Sequence, residues 1–206
     1  QQITEDEEIQ RVAPVIEAVK ARFDVPVSID TYKAKVAAAA IEAGADLVND
    51  IWGLKYDPEM AGLIARTGVA CCLMHNKNNT EYQDFYPDML RETAECVKLA
   101  KEAGIADDKI ILDPGVGFGK NYEQNLETIL HMERFHELGY PMLLGTSRKS
   151  VIGLTLDLLA DQRVEGTLVT TVMAVMKKYA FVRVHDIKEN QRTIRMTEAI
   201  LKAGEN

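Results

Sequence analysis

Short apolar runs rich in β-branched residues alternate with longer amphipathic stretches along all 206 residues of this chain. Nothing else in the sequence limits the fold so sharply. The runs expected to form strands cover residues 26–30, 45–51, 69–75, 109–113, 141–145 and 180–185. Helical patterns lie between them at 5–21, 34–43, 88–103, 126–138, 163–179 and about 190–202. In the first of these, Ile9, Val12, Ala13, Ile16 and Val19 recur at helical spacing. Gly44, Gly104 and Gly139 stand where helix C-caps belong.

Strands that alternate with helices pair in parallel through right-handed crossovers. The runs are continuously apolar, as expected when helices cover both faces of a sheet. Two α/β architectures meet this pattern, an open doubly wound sheet and a (β/α)8 TIM barrel. The polar residues separate them. Nearly every expected strand ends in a reactive or hydrogen-bonding group: Asp30, Asn49 with Asp50, His75, Asp113, Ser147 to Lys149, and His185. Groups gathered at the C-terminal ends of many strands mark the top face of a barrel. Six strands are two short of eight, such barrels run to about 250 residues, and the chain opens on a helix. The first two strands of the barrel are therefore expected to lie outside these residues. The expectation is one barrel domain over 1–206, lacking its N-terminal quarter.

Composition narrows the partners. Hydrophobic residues make up 47% and charged residues 27%, and the formal net charge is -8. That balance fits a soluble globular chain with a sizeable core. It argues against nucleic acid or an anionic membrane as the main partner, since both need a basic footprint. A small anion needs only a local cationic pocket. No stretch approaches the roughly 18 apolar residues of a membrane span, and residues 1–8 are polar and acidic, unlike a signal peptide. Of the three cysteines, Cys71 and Cys72 are adjacent in an apolar run and Cys96 stands apart. They read as buried thiols in a reduced, cytoplasmic protein.

The strand-end motifs carry the chemistry. In Ser-Ile-Asp-Thr at 28–31, Ser28 and Asp30 share a face, and the plain alternative is a cap for the following helix. In Val-Asn-Asp-Ile at 48–51, Asn49 and Ile51 share a face while Asp50 points away or caps. An Asn and an Asp on neighbouring strand ends offer donors and acceptors to a flat polar heterocycle. Met74 suits contact with an aromatic ring, and His75 beside it reads first as a structural partner. Asp-Pro-Gly-Val-Gly-Phe-Gly-Lys at 113–120 sets three glycines around Phe118, a tight loop where backbone approaches a ligand. It lacks Walker spacing and is not a phosphate loop of that kind. A buried Asp113 needs a partner that donates twice, such as the amino-pyrimidinone edge of a pterin or guanine. Gly-Thr-Ser-Arg-Lys-Ser at 145–150 brings hydroxyls, two cations and a helix start together, a setting for an anion or a ring carbonyl, or else a solvated cationic loop. In Arg-Val-His-Asp at 183–186, Arg183 and His185 point to one side and suit phosphate.

These stretches, together with Asp-Thr-Tyr-Lys at 30–33, Gly-Ala-Asp-Leu-Val-Asn-Asp-Ile at 44–51 and Met-His at 74–75, resemble the dihydropteroate synthase family over essentially the whole chain. The 113–120 and 147–150 motifs are the most specific. The resemblance implies that Asp30, Asn49 and Asp113 hydrogen-bond a pterin, with Asp113 taking its amino and ring N–H pair. Lys149 would bind the ring carbonyl and a ring nitrogen. Ile51, Met74 and Phe118 would line the pocket, and Arg183 would cover the pterin face. Arg183 and His185 would hold the diphosphate, and Ser150 would receive the carboxylate of p-aminobenzoate. Lys149, Arg183 and His185 are thereby the implied catalytic set.

The implied reaction joins 6-hydroxymethyl-7,8-dihydropterin diphosphate to p-aminobenzoate and releases diphosphate. The implied enzyme is a cytoplasmic homodimer, paired through its last helices, with Mg2+ as cofactor and sulfonamides as inhibitors. The family's first two loops carry an Asn that helps place magnesium, a Thr-Pro-Asp-Ser-Phe stretch and a Thr-Arg-Pro-Gly stretch, none of which occurs in these 206 residues. No metal ligand is therefore expected in this chain, and these residues alone are expected to bind pterin weakly without turnover. Two other readings share the pterin contacts: a methyltetrahydrofolate methyltransferase with a corrinoid partner, and a non-catalytic pterin binder.

Overall fold

The computed structural model describes residues 3–204. They form two compact units, one made of residues up to Asn76 with Arg91–Leu112, the other of Lys77–Leu90 with Asp113 onward. All six expected strands are present: β1 Ser28–Asp30, β2 Leu47–Asp50, β3 Ala70–Met74, β4 Ile110–Asp113, β5 Leu143–Leu144 and β6 Phe181–Val182. The β1–β2, β2–β3 and β5–β6 pairings are parallel. They make a four-stranded sheet in the order β1-β2-β3-β4 and a two-stranded sheet of β5 and β6. The architecture is α/β with parallel strands as expected, but among the described residues these ladders do not close a barrel. Each strand is shorter than its apolar run: β1, β2 and β4 keep their polar ends Asp30, Asp50 and Asp113, whereas His75, Ser147 and His185 follow their strands.

Helices α1 Glu5–Lys20, α2 Ala34–Glu42, α4 Phe85–Glu102, α7 Val164–Met176 and α8 Ile187–Ala203 lie where the periodicity places them. Two further helices, α3 Met60–Thr67 and α6 Ser150–Leu156, are short. The pattern at 126–138 divides. Helix α5, Tyr122–Leu130, starts four residues early because Asn121 and Gln124 close a capping box, and a tighter 3-10 stretch, Met132–Leu138, follows it. Gly139, at φ 79°, ends that stretch as the expected left-handed cap.

In the first unit the alanine-rich face of α2 explains its composition: Ala34, Val36, Ala37 and Ala40 are all buried, and α1 packs against α2. Small side chains allow such close helix approach. Asp50, almost wholly buried, holds the turn after β2. Its two carboxylate oxygens accept the Trp52 and Leu54 N–H groups, each at 2.8 Å, and Leu54 is held at φ 69°. Asp50 therefore caps, as one of the two sequence readings had it. Asp50→Ala leaves both amides without an acceptor, and each such loss costs about 1–3 kcal/mol. We expect a drop of roughly 2–4 kcal/mol in unfolding free energy by denaturant titration.

In the second unit the core consists of Val116, Ile129, Met132, Leu144, Val151, Ile152 and Ala174, flanked by Tyr122, Met173, Tyr179 and Val182. Val116 belongs to the glycine loop and Leu144 to β5, so this core fixes the base of two functional motifs at once.

Candidate active site

In the first unit, parallel register sets Asp30 opposite Asn49 at the ends of β1 and β2. Ser28 and Asp30 are exposed and Ile29 is buried, the expected alternation. Asn49 is only 7% exposed, and its side-chain amide has no hydrogen-bond partner among the described residues. An amide whose atoms still reach solvent, with its donors and acceptor open, is suited to a polar ligand. Ile51 is half-buried just after β2, and Met74 is buried at the end of β3.

Other residues of these motifs are structural. His75 is fully buried and pairs with Glu92 at 2.8 Å, its plainer reading. Thr31 and Lys33 both reach Glu8 of α1, at 3.0 and 2.7 Å. No cap for α2 comes from 28–31. Instead, Asp57 accepts the Ala34 N–H at 2.8 Å. The three cysteines are buried and unpaired with one another, and burial pushes the Cys71 thiol up to about 12 and the Cys96 thiol up to about 11. All three are buried, as expected, and Cys71 and Cys96 are held in the thiol form.

In the second unit, Asp113 is 6% exposed. One of its oxygens accepts the Gly115 N–H at 2.7 Å, and the other has no hydrogen bond among the described residues. Burial pushes the carboxyl above its ordinary range, against Lys149, the Gly115 amide, Lys120 and Arg183, which favour the ionised form. A nearly buried carboxylate with one unoccupied oxygen and cations near it can accept paired donors.

The loop after Asp113 accounts for its glycines. Gly117 and Gly119 have φ of 88° and 56°, and a Cβ on Gly119 would lie 2.8 Å from the Lys77 carbonyl oxygen. Only glycine fits there. Lys120 is 8% exposed and donates to the Gly115 and Phe118 carbonyl oxygens, each at 3.0 Å. Asn125 accepts the Gly117 N–H at 2.5 Å, and Tyr82 donates to the Gly119 carbonyl at 2.7 Å. The loop is thus held rigid from inside. Lys120→Met removes the donor to two carbonyls, and we expect unfolding free energy to fall by about 1–3 kcal/mol. Thermal unfolding checks the fold, and titration of a pterin checks the loop's shape.

The 145–150 segment separates its two cations. Arg148, in the left-handed region at φ 59°, is tied to Asp186 at 3.1 and 2.5 Å and does not serve an anion, contrary to the pairing of cations expected from sequence. Its backbone is also held: Thr167 accepts the Arg148 N–H at 3.2 Å, and Arg163 donates to its carbonyl at 2.8 Å. Lys149 instead donates to the Val116 carbonyl and sits 4.8 Å over the Phe118 ring. Lys149, Arg183 and His185 line one cavity of about 270 Å³ with Gly145, Ser147 and Val184. Ser150 is exposed at the first position of α6 and is not part of that lining.

The family model for pterin binding enzymes matches residues 1–185. The dihydropteroate synthase of Clostridium beijerinckii is 59% identical over 201 residues, covering 97% of this chain and 75% of that protein. The chain belongs to the dihydropteroate synthase family of pterin-binding enzymes. The Bacillus subtilis family member is 49% identical over 202 residues, 98% of this chain and 71% of its own length. Among solved dihydropteroate synthases, that of Clostridium difficile with pteroic acid superposes at a TM-score of 0.95 with 45% identity, covering 97% of this chain and 76% of that one. A Yersinia pestis enzyme in complex with a sulfonamide drug gives 0.94 with 39% identity, covering 98% and 76%. The Xanthomonas albilineans enzyme with 4-aminobenzoic acid gives 0.93 with 35% identity, covering 98% and 74%.

Within this family pattern, sequence reasoning passed over the residues that hold the site together. Lys120 closes the quoted glycine motif, and its presence in a loop with so little other polarity was a usable signal. Asn125 and Thr167 carry no local signal, because their partners are eight and nineteen residues away.

Proposed function

We propose that this protein is a dihydropteroate synthase, a transferase that condenses 6-hydroxymethyl-7,8-dihydropterin diphosphate with p-aminobenzoate. The observation that carries the reading is Asp113, a buried carboxylate with one unoccupied oxygen in the second unit. A pterin's amino group and ring N–H supply two parallel donors to it. Lys149, 4.8 Å over Phe118, takes the ring carbonyl. Arg183 and His185, in the same cavity as Lys149, hold the diphosphate, and Ser150 receives the carboxylate of p-aminobenzoate. In the first unit, Asn49, 7% exposed and with no partner for its side-chain amide among the described residues, supports the pterin contacts assigned to Asp30, Asn49, Ile51 and Met74.

The aryl amine attacks the methylene carbon of the pterin. A C–N bond forms, the C–O bond to diphosphate breaks with its electron pair, and the amine proton passes to water. The pterin spreads positive charge from that carbon, so the side chains act by positioning and by stabilising the departing anion. No covalent nucleophile is needed. Mg2+ is the implied cofactor. Among the described residues no three His, Cys, Asp or Glu side chains are gathered to hold a metal, and the steps here use only the chain's own groups.

The six parallel βα units are read as part of a (β/α)8 barrel domain. No helix among the described residues is long and apolar enough to cross a membrane, in keeping with a cytoplasmic enzyme. Homodimer formation through α7 and α8 is supported by exposed apolar side chains on both: Val169, Met176, Met196 and Ile200 are each about 60% exposed, at 60%, 58%, 62% and 61%.

The test supplies a purified protein that includes the first two strands expected of the barrel, with the pterin diphosphate, p-aminobenzoate and Mg2+. We expect diphosphate and dihydropteroate to appear in equal amounts. Pterin binding with no release of diphosphate, or methyl transfer to a corrinoid protein, would replace this reading with one of its rivals.

A further inference from the structure

Ser147 follows β5 by three residues and is 8% exposed. Its hydroxyl oxygen accepts the backbone N–H of His185 at 3.1 Å and lies 2.9 Å from Nδ1 of the same residue. No other hydrogen-bond partner of Ser147 is present among the described residues. A hydroxyl carries one proton and can accept twice. If Nδ1 bore the imidazole proton, the Ser147 oxygen would accept two N–H groups and its own proton would have no protein acceptor among the described residues. If the hydroxyl donates to Nδ1, every group is satisfied. The proton of the neutral ring then sits on Nε2, which has no protein partner among the described residues. Ser147 and His185 line the same cavity as Lys149 and Arg183.

We propose that Ser147 is a positioning residue that holds His185 as its Nε2–H tautomer, so that the neutral imidazole presents a donor to the diphosphate. This rests on the assignment of His185 to the diphosphate made above. The opposite tautomer would aim a lone pair at an anion. The same hydroxyl fixes the ring's orientation through two contacts to one residue, and the fixed ring keeps its donor without having to be protonated. Ser147 touches no substrate in this account and acts only through His185.

Two measurements test it. Imidazole ¹⁵N spectra of the wild-type protein, with the His185 signals identified by their loss in His185→Gln, should show the Nε2–H tautomer with Nδ1 accepting a hydrogen bond. An Nδ1–H tautomer at His185 would overturn the proposal without reference to any ligand. Calorimetry then compares 6-hydroxymethyl-7,8-dihydropterin with its diphosphate. Ser147→Ala should weaken the diphosphate roughly 10-fold, the scale of one charge-assisted hydrogen bond, and leave the diphosphate-free pterin unchanged. Ser147→Thr, which keeps the hydroxyl, should restore most of the loss. In a His185→Gln background the Ser147→Ala effect should vanish. Equal losses for both ligands, or a loss that persists without His185, would make Ser147 merely structural. A wild-type protein that bound neither ligand would instead defeat the pterin reading, while the spectra would still decide the tautomer.

Discussion

Asp113→Asn is expected to abolish pterin binding and to leave the protein at least as stable as wild type at neutral pH. The amide can still accept the Gly115 N–H, which Asp113 takes at 2.7 Å. Towards the pterin it offers one acceptor and one donor where the ligand brings two donors. Each buried mismatch costs about 1–3 kcal/mol, so affinity should fall by some hundredfold or more. The stability half follows from linkage. Burial raises the Asp113 carboxyl above its ordinary value of 3.8. The folded state therefore holds a proton that the unfolded chain has released, and its stability declines as pH rises from about 3.8 through the raised value. Asn cannot ionise, so the variant should lose less stability over that window. Denaturant titrations at acid and neutral pH check the slope, and calorimetry with a dihydropterin checks the binding. Unchanged affinity, or a variant that loses stability faster than wild type as pH rises, would remove Asp113 from the site.

Lys149 and Arg183 should separate when each is cut to alanine. Lys149 lies over Phe118 and donates within the Asp113 loop, and in the proposed reading its loss would remove a contact to the pterin ring itself. We expect Lys149→Ala to weaken the free pterin and its diphosphate alike, by roughly 10- to 100-fold, the range of a hydrogen bond to a charged group. Arg183 shares the cavity with His185, and in the proposed reading it would carry the anion as well as a stacking face. Arg183→Ala should cost the diphosphate about tenfold more than the free pterin. The ratio of the two dissociation constants is the readout. A ratio unchanged from wild type in the Arg183 variant would reassign the diphosphate to other groups.

Much of this was legible in the sequence, for identifiable reasons. The six strands declared themselves because buried parallel strands are continuous apolar runs, and their polar ends stood out against them. Helix α3 was missed although Met60, Leu63 and Ile64 are its buried face and Gly68 its left-handed cap. Its eight residues are too few for periodicity to stand out. The start of α5 was written in the Asn121 and Gln124 capping box, a signal that outweighs the apolar pattern behind it. At the site, residue types were readable but their commitments were not. Arg148 and Lys149 are adjacent cations, yet one is engaged by Asp186 and the other faces Asp113, and only the left-handed backbone at Arg148 separates them. Likewise His75 and His185 both end strand runs, and their partners, Glu92 and Ser147, decide that one is structural and the other presents a nitrogen to a cavity.

The most direct test of the account is a crystal structure of the protein with 6-hydroxymethyl-7,8-dihydropterin diphosphate. It should show the ring's amino group and N–H on the Asp113 carboxylate, the ring carbonyl on Lys149, and diphosphate oxygens on Arg183 and on Nε2 of His185. A pterin bound with its amino edge away from Asp113, or a diphosphate held elsewhere than at Arg183 and His185, would contradict it.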